Sequence, residues 1–245
     1  MNKIIDINCD VGEGLENEAD LMPYISSCSI ACGAHAGDEA TIINTIQLAL
    51  KYNVKVGAHP SFPDRKNFGR KVLDMPLSNL KQSLEAQIML VKTHVDRLGT
   101  SLNHIKAHGA LYNLSANDSK TAEALIEVVK NTANEAFLYV PYGSLLETLA
   151  KQIGLKTRVE AFADRNYNLD LTLVSRSSQN AVITDPNLVV KHLSNMVLHN
   201  HVISIDGVGV EMKAQTYCIH GDNPSAISIL KKVSKKLKEN GIKIV

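Results

Sequence analysis

The sequence predicts an α/β fold, a (β/α) barrel of seven or eight mostly parallel strands, on three observations. Short β-like runs alternate with helical patterns along almost the whole chain, and strand–helix alternation builds a parallel sheet covered by helices. No linker or break in composition interrupts the 245 residues, so 1–245 reads as one domain of ordinary barrel size. Four histidines stand at one recurring station, after a β-like run and before a helical one. A doubly wound open sheet gives the same alternation; the number of strands favours closure.

The elements follow in order. "KIIDIN" is a strand running into "CDVGEG", and "SCSIAC" leads to a helix over about 39–52. "VKVGAH" is followed by a loop holding Pro60, Pro63 and Gly69, then by the clearest helix of the chain. There Leu77, Leu80, Leu84, Ile88, Val91, Val95 and Leu98 recur at three- and four-residue steps, one apolar stripe. Ser78 is expected to cap its start and Gly99 to stop it. "SLNHIKAH" is the next strand, with a helix over about 119–132. "AFLYVP" and a helix over 144–153 come next, then "KTRVEAFA". The polar stretch from Asp164 to Asp185 has no helical period and is expected to be a loop or short hairpin. A helix over 186–199, a turn in "DGVGVE", the strand "QTYCIH" and an amphipathic helix near the end complete the chain. The lysines of that last helix read as its solvated face.

Composition narrows the class. With 44% hydrophobic and 21% charged residues the chain can bury a core, and a net charge of +1 gives no footprint for nucleic acid. No apolar run approaches membrane-spanning length, and the start turns acidic too early for a secretory signal, so a cytoplasmic location is expected. Cys9, Cys28, Cys32 and Cys218 have no metal or redox spacing and read as reduced core residues, although Cys9 and Cys218 adjoin polar groups.

The histidines are His35 in "CGAHAGD", His59 in "GAHP", His108 in "KAHGA" and His220 in "CIHGD". In a parallel barrel that station is the C-terminal rim, where strand-to-helix loops build a site. Period two adds an inward polar face: Asp6, Asn8 and Asp10; His104, Lys106 and His108; Arg158, Glu160, Phe162 and Asp164. Covered parallel strands are normally apolar throughout, and unpaired buried charges cost several kcal/mol each, so these groups must meet each other, water, a metal or a ligand. Glu13 in "DVGEG" stands just past the first strand. Asp38 and Asp222 suit either helix caps or site residues, and Arg65, Arg70 and Arg165 suit a carboxylate or phosphate. No familiar phosphate loop, serine elbow or zinc-helix motif is present.

Six ordered motifs, "DINCDVGEG", "ACGAHAGD", "GAHPSFPD", "IKAHGALY", "FADRNY" and "CIHGD", resemble the LamB/YcsF family, described as the A subunit of 5-oxoprolinase. Ala34 and Ala107 depart from the family pattern beside the histidines without removing them. The resemblance implies a distorted TIM-like barrel related to polysaccharide-deacetylase-like folds. It also implies an ATP-dependent opening of 5-oxoproline to glutamate, with Mg²⁺ accompanying ATP and two partners, the B and C subunits. On that reading Asp10, Glu13, His35, His59, Lys106 and His108 are catalytic candidates. Asn8, Arg65, Asp164, Arg165, His220 and Asp222 are candidates for holding substrate or phosphate. The wider fold group implies a possible divalent metal on Asp10, His35, His59 and His108. Two alternatives share the rim: a metal-dependent deacetylase or amidohydrolase without ATP, and a metabolite-binding subunit without chemistry of its own.

Overall fold

Residues 3–245 are described by the computed structural model. Its sheet strands are β1 (Ile4–Val11), β2 (Ser27–Ala31), β3 (Lys55–His59), β4 (His104–Ile105), β5 (Phe137–Pro141), β6 (Thr157–Phe162), β9 (Thr216–Cys218) and β10 (Lys243–Ile244). Between β6 and β9, β7 (His201–Ile203) and β8 (Gly209–Glu211) form a separate antiparallel hairpin around the expected turn. Strands β1 to β6 pair in order, all parallel, and β9 pairs with both β6 and β1. Seven strands therefore close a barrel. The eighth, β10, pairs with Ile4 and Ile5 at the start of β1.

The helices are α1 (Glu18–Leu21), α2 (Glu39–Lys51), α3 (Leu77–Arg97), α4 (Gly109–Ser115), α5 (Ser119–Ala133), α6 (Leu145–Gln152), α7 (Pro186–His199) and α8 (Ala226–Glu239). On α3 the predicted stripe from Leu80 to Val95 is buried, while Leu77 at its edge is exposed. Each such side chain contributes roughly 1.5–3 kcal/mol on burial. Leu84→Ala would cost about 2–5 kcal/mol through transfer and cavity together. Pro76, not Ser78, stands at the N-cap of α3, and no side chain caps it. Proline's fixed φ presets the entry there, which leaves Ser78 inside the first turn. Gly99 follows the helix at φ +74, as a stop requires. Asp38 does cap α2, accepting the Thr41 N–H. Among the described residues no helix is long and apolar enough to cross a membrane.

"SLNHIKAH" keeps only two residues in the ladder as β4, yet its pairing with β3 runs further. The N–H groups of Asn103, Lys106 and His108 donate to the carbonyls of Val56, Ala58 and Pro60. The polar stretch after β6 folds back on itself through the antiparallel bridges Arg165–Val182 and Tyr167–Leu173.

Strand register settles what the interior holds. Asn8 lies beside Ser27, Asp10 beside Ser29, Gly57 beside His104, Tyr139 beside Arg158, and Glu160 beside Thr216. The opposite face of β1, Ile5, Ile7, Cys9 and Val11, belongs to the apolar core shared with the helices. At the N-terminal end the interior is a closed polar knot. Asp6 accepts the hydroxyls of Ser26 (2.8 Å), Ser27 (2.7 Å), Thr216 (2.6 Å) and Tyr139 (3.2 Å). His104 stacks on Tyr139 at 4.0 Å and meets Ser29 Oγ at 3.1 Å. A Cβ on Gly57 would overlap the His104 ring, so that position must be glycine for the ring to fit.

Candidate active site

The opposite end of the barrel is built differently. Lys106, reaching in from the stretch after β4, places its ammonium 2.9 Å from Asp10 and 2.9 Å from Glu160, with Asn8 Oδ1 at 3.1 Å and Cys218 Sγ at 3.2 Å. Burial would lower its pKa, but Asp10, Cys218 and Glu160 outweigh burial and hold it well above the ordinary lysine value. Burial likewise would raise the Asp10 carboxyl, yet His59 and Lys106 hold it well below the carboxylate range. A lysine–carboxylate floor thus stays ionised inside the barrel.

Above the floor three imidazoles gather, His59 from the end of β3 and His35 and His108 from the stretches after β2 and β4. His35 and His108 stack at 3.9 Å, nearly parallel, and His59 lies edge-on to both. The His35 loop comes close enough to the β1 loop that a Cβ on Gly37 would sit 2.8 Å from the Gly12 carbonyl. Only glycine allows that approach, and Gly37 also holds φ +74.

The outer nitrogens decide the protonation of the inner ones. His59 Nδ1 donates to the Lys106 carbonyl at 2.7 Å, and His108 Nε2 donates to the Phe68 carbonyl at 2.9 Å. Ser61 gives its own hydroxyl proton to the Phe62 carbonyl, so His35 Nδ1 donates to Ser61 Oγ at 3.0 Å. Burial holds His35 below, and His108 well below, the ordinary histidine pKa, favouring neutral rings. A neutral ring that donates outward presents a lone pair inward. His59 Nε2 and His108 Nδ1 meet at 2.9 Å, within hydrogen-bond distance. Glu13 Oε1 lies 3.4 Å from His35 Nε2 and 3.5 Å from His108 Nδ1, and Asp10 Oδ2 lies 3.4 Å from His59 Nε2. Five atoms able to accept a hydrogen bond thus converge. Such a group of atoms takes up a cation: a proton from an attacking water, or a metal ion.

Among the described residues two trios have ligand atoms near enough to share an ion, Glu13–His59–His108 and Asp10–Cys218–His220. The first fits a divalent ion, because Glu13 Oε1 is buried without a hydrogen-bond partner. The second does not, because Lys106 already takes both Asp10 and Cys218. The set expected from sequence had Asp10 and His35 beside His59 and His108 where this trio has Glu13, and His35 Nε2 remains unpartnered nearby.

The site opens into a cavity of about 260 Å³ lined by Asp10, Glu13, His59, Lys106, His108, Arg165, His220 and, on its more exposed side, Arg70, Arg176 and Asp222. Five of the six catalytic candidates line it, and the sixth, His35, stacks on His108. Asp222 pairs with Arg70 at 2.7 Å and Arg176 at 2.9 Å. Three of the other candidates serve from behind. Asp164 is fully buried and positions His220, accepting its Nδ1–H at 2.8 Å and its backbone N–H at 3.1 Å. Asn8 donates to Glu160 beneath Lys106, away from the cavity wall. Arg65 lies outside the cavity and donates to the Gly33 and Gly37 carbonyls, fixing the His35 loop. Arg165 reaches the wall while donating to the carbonyls of Ala181 and Val174. Arg176 and Tyr112 were not singled out from sequence: one lies in an aperiodic loop, the other inside α4. Glu160 was legible only as an inward residue. All four cysteines are buried and free, and burial pushes the Cys9 and Cys218 thiols well up, away from the reactive thiolate.

The LamB/YcsF family profile matches residues 5–245. The A subunit of 5-oxoprolinase from Histophilus somni (strain 129Pt) is 40% identical over 240 residues, 98% of this chain and 97% of that one. A crystal structure of a lactam utilization protein from Thermus thermophilus superposes with a TM-score of 0.92 at 33% identity, covering 100% of this chain and 99% of the other. A family 4 carbohydrate esterase from Streptomyces lividans shares the fold alone, with a TM-score of 0.50 at 10% identity over 99% of this chain and 92% of that one.

Proposed function

The chain belongs to the LamB/YcsF family, and from that premise we propose that it is one subunit of an ATP-dependent 5-oxoprolinase. It opens the lactam of 5-oxoproline to glutamate while ATP becomes ADP and phosphate, and it works with two further chains, the B and C subunits. The relative's name, which makes it the A subunit of a 5-oxoprolinase, supports the substrate and the existence of partners. The observation that carries the chemistry is the ring of inward acceptors above an ionised lysine–carboxylate floor.

A lactam is an unreactive amide, and activation by ATP makes it reactive. The carbonyl oxygen attacks the γ-phosphorus, ADP leaves, and the N–H proton passes to a base. Water then adds to the activated carbon and gives its proton to an imidazole. The C–N bond breaks as the nitrogen takes protons back, and a second water releases phosphate from the acyl phosphate. One of His35, His59, His108, Asp10 and Glu13 supplies the base. Lys106 stabilises the developing oxygen charge, and Arg70, Arg165 and Arg176 attract the substrate carboxylate and phosphates. Mg²⁺ accompanies ATP.

The test is glutamate formation from 5-oxoproline and ATP, by this chain alone and then with its partners. Replacing His108 or Lys106 by alanine is expected to lower turnover by about 10²–10⁴-fold. No glutamate from the assembled wild-type enzyme, or wild-type rates in both variants, would rule the reading out.

The fit of Glu13, His59 and His108 to a divalent ion favours one second reading, a metal-dependent amidohydrolase without ATP. Those three residues would hold the ion, which would lower the pKa of a bound water. Stoichiometric metal that survives dialysis, with turnover independent of ATP, would establish it.

A further inference from the structure

Beside the first cavity lies a second, of about 380 Å³, which shares Tyr112, Phe162 and Leu173 with it. Tyr112 and Phe162 meet edge to face at 5.5 Å and form the wall between the two. Glu160 lines the second cavity and Lys106 the first, so their ion pair joins the two floors.

Two atoms there have no hydrogen-bond partner although their side chains are almost wholly buried: Glu160 Oε2, on a residue 2% exposed, and Tyr112 Oη, on a residue 5% exposed. Leaving buried polar atoms unpaired costs about 1–3 kcal/mol each. The other carboxylate oxygen, Oε1, is already fixed by Lys106 at 2.9 Å and Asn8 Nδ2 at 2.9 Å. That leaves Oε2 as a held acceptor on a side chain that lines the second cavity. Burial, and then the neighbouring Glu160, keep the Tyr112 hydroxyl protonated and able to donate. The two groups neighbour each other, an acceptor and a donor with no other partner.

We propose that Glu160 Oε2 and Tyr112 Oη read the amide edge of the lactam, Glu160 accepting the ring N–H and Tyr112 donating to the carbonyl. The inference rests on the 5-oxoprolinase reading of the site. A small lactam is forced to be cis, so its N–H and C=O point to the same side. An open secondary amide is trans and points them apart. The pair thus selects a cyclic amide over a peptide bond. Glu160 is a specificity-determining residue on this account, fixed by Lys106 and Asn8.

The experiment is equilibrium binding to the chain assembled with its partners, without ATP. It compares 5-oxoproline with its ring-oxygen lactone analogue, which keeps the carbonyl and the carboxylate but lacks the N–H. The wild type should prefer the lactam by roughly 10–100-fold, since a site built for an N–H rejects the analogue lacking it. In Glu160→Gln the amide oxygen stays with Lys106 and Asn8, which puts an NH₂ group in the place of Oε2. The preference should then vanish or invert. Tyr112→Phe should weaken both ligands about equally, roughly tenfold, and keep their ratio. Equal wild-type affinity for lactam and lactone would overturn this inference alone, as would an unchanged ratio in Glu160→Gln or unchanged affinities in Tyr112→Phe. Failure of the wild type to bind 5-oxoproline would overturn the functional reading beneath it.

Discussion

The two ends of the barrel interior carry similar residues in opposite condition. At the N-terminal end Asp6 is surrounded by four hydroxyl donors, and His104 has a partner on each ring nitrogen. At the C-terminal end Glu13, His35, Glu160 and Tyr112 each leave an atom unpartnered. They account for four of the six such buried side-chain atoms among the described residues. A satisfied polar network rigidifies a core, whereas one without protein partners keeps a standing cost that a bound water or ligand removes. Burial and residue type do not separate the two ends; hydrogen-bond satisfaction does.

Substitutions at the two ends should therefore differ in kind. The largest effect is expected from Gly57→Ala, whose methyl would overlap the stacked His104 ring. A loss of about 4 kcal/mol or more is expected in chemical denaturation, reaching failure to fold. Asp6→Ala strands the donors of Ser26, Ser27, Thr216 and Tyr139 and should cost about 3 kcal/mol or more by the same measurement. A milder value, with turnover lost instead, would break the comparison.

Acid probes the same divide more gently. Burial, with help from Lys106, holds His104 well below the ordinary histidine pKa, so the unfolded chain binds this proton more readily than the folded one. Stability from this group is complete above about pH 6.5 and declines as pH falls toward the folded value. Midpoints of thermal unfolding measured from pH 8 down to 5 should drop, and the drop should be shallower in His104→Gln. Smallest of all is Glu13→Gln at the rim. It should change stability by no more than about 0.5 kcal/mol, or raise it slightly, while glutamate formation falls sharply. A strongly destabilised Glu13→Gln would place that residue with the structural end.

Much of this divide was legible in the sequence. Alternation in "DINCD" turns Asp6, Asn8 and Asp10 inward, and the station after each strand brings His35, His59, His108 and His220 to the rim. Period two could not separate His104 from His108, two positions on one face, because their partners come from other strands. Nor could it find Arg176, whose loop has no period. It also could not tell that Arg65 and Asp164 fix backbone and imidazole behind the wall. Those roles depend on contacts between residues 28 to 56 apart, which no local pattern encodes. Ser78 lost the cap of α3 to Pro76 because a proline two residues earlier already shapes the entry.

The arginines at the mouth and the carboxylates at the floor give the cavity a direction. Three guanidinium groups, Arg70, Arg165 and Arg176, stand around one carboxylate, Asp222, on the outer side of the cavity, while Asp10 and Glu13 outnumber Lys106 below. The field along the cavity axis therefore runs from positive outside to negative inside. A molecule with an anionic end and a neutral amide end is drawn in amide first and stopped with its charge at the entrance. Entry and orientation become one event, and added salt should weaken capture more than it alters the groups below.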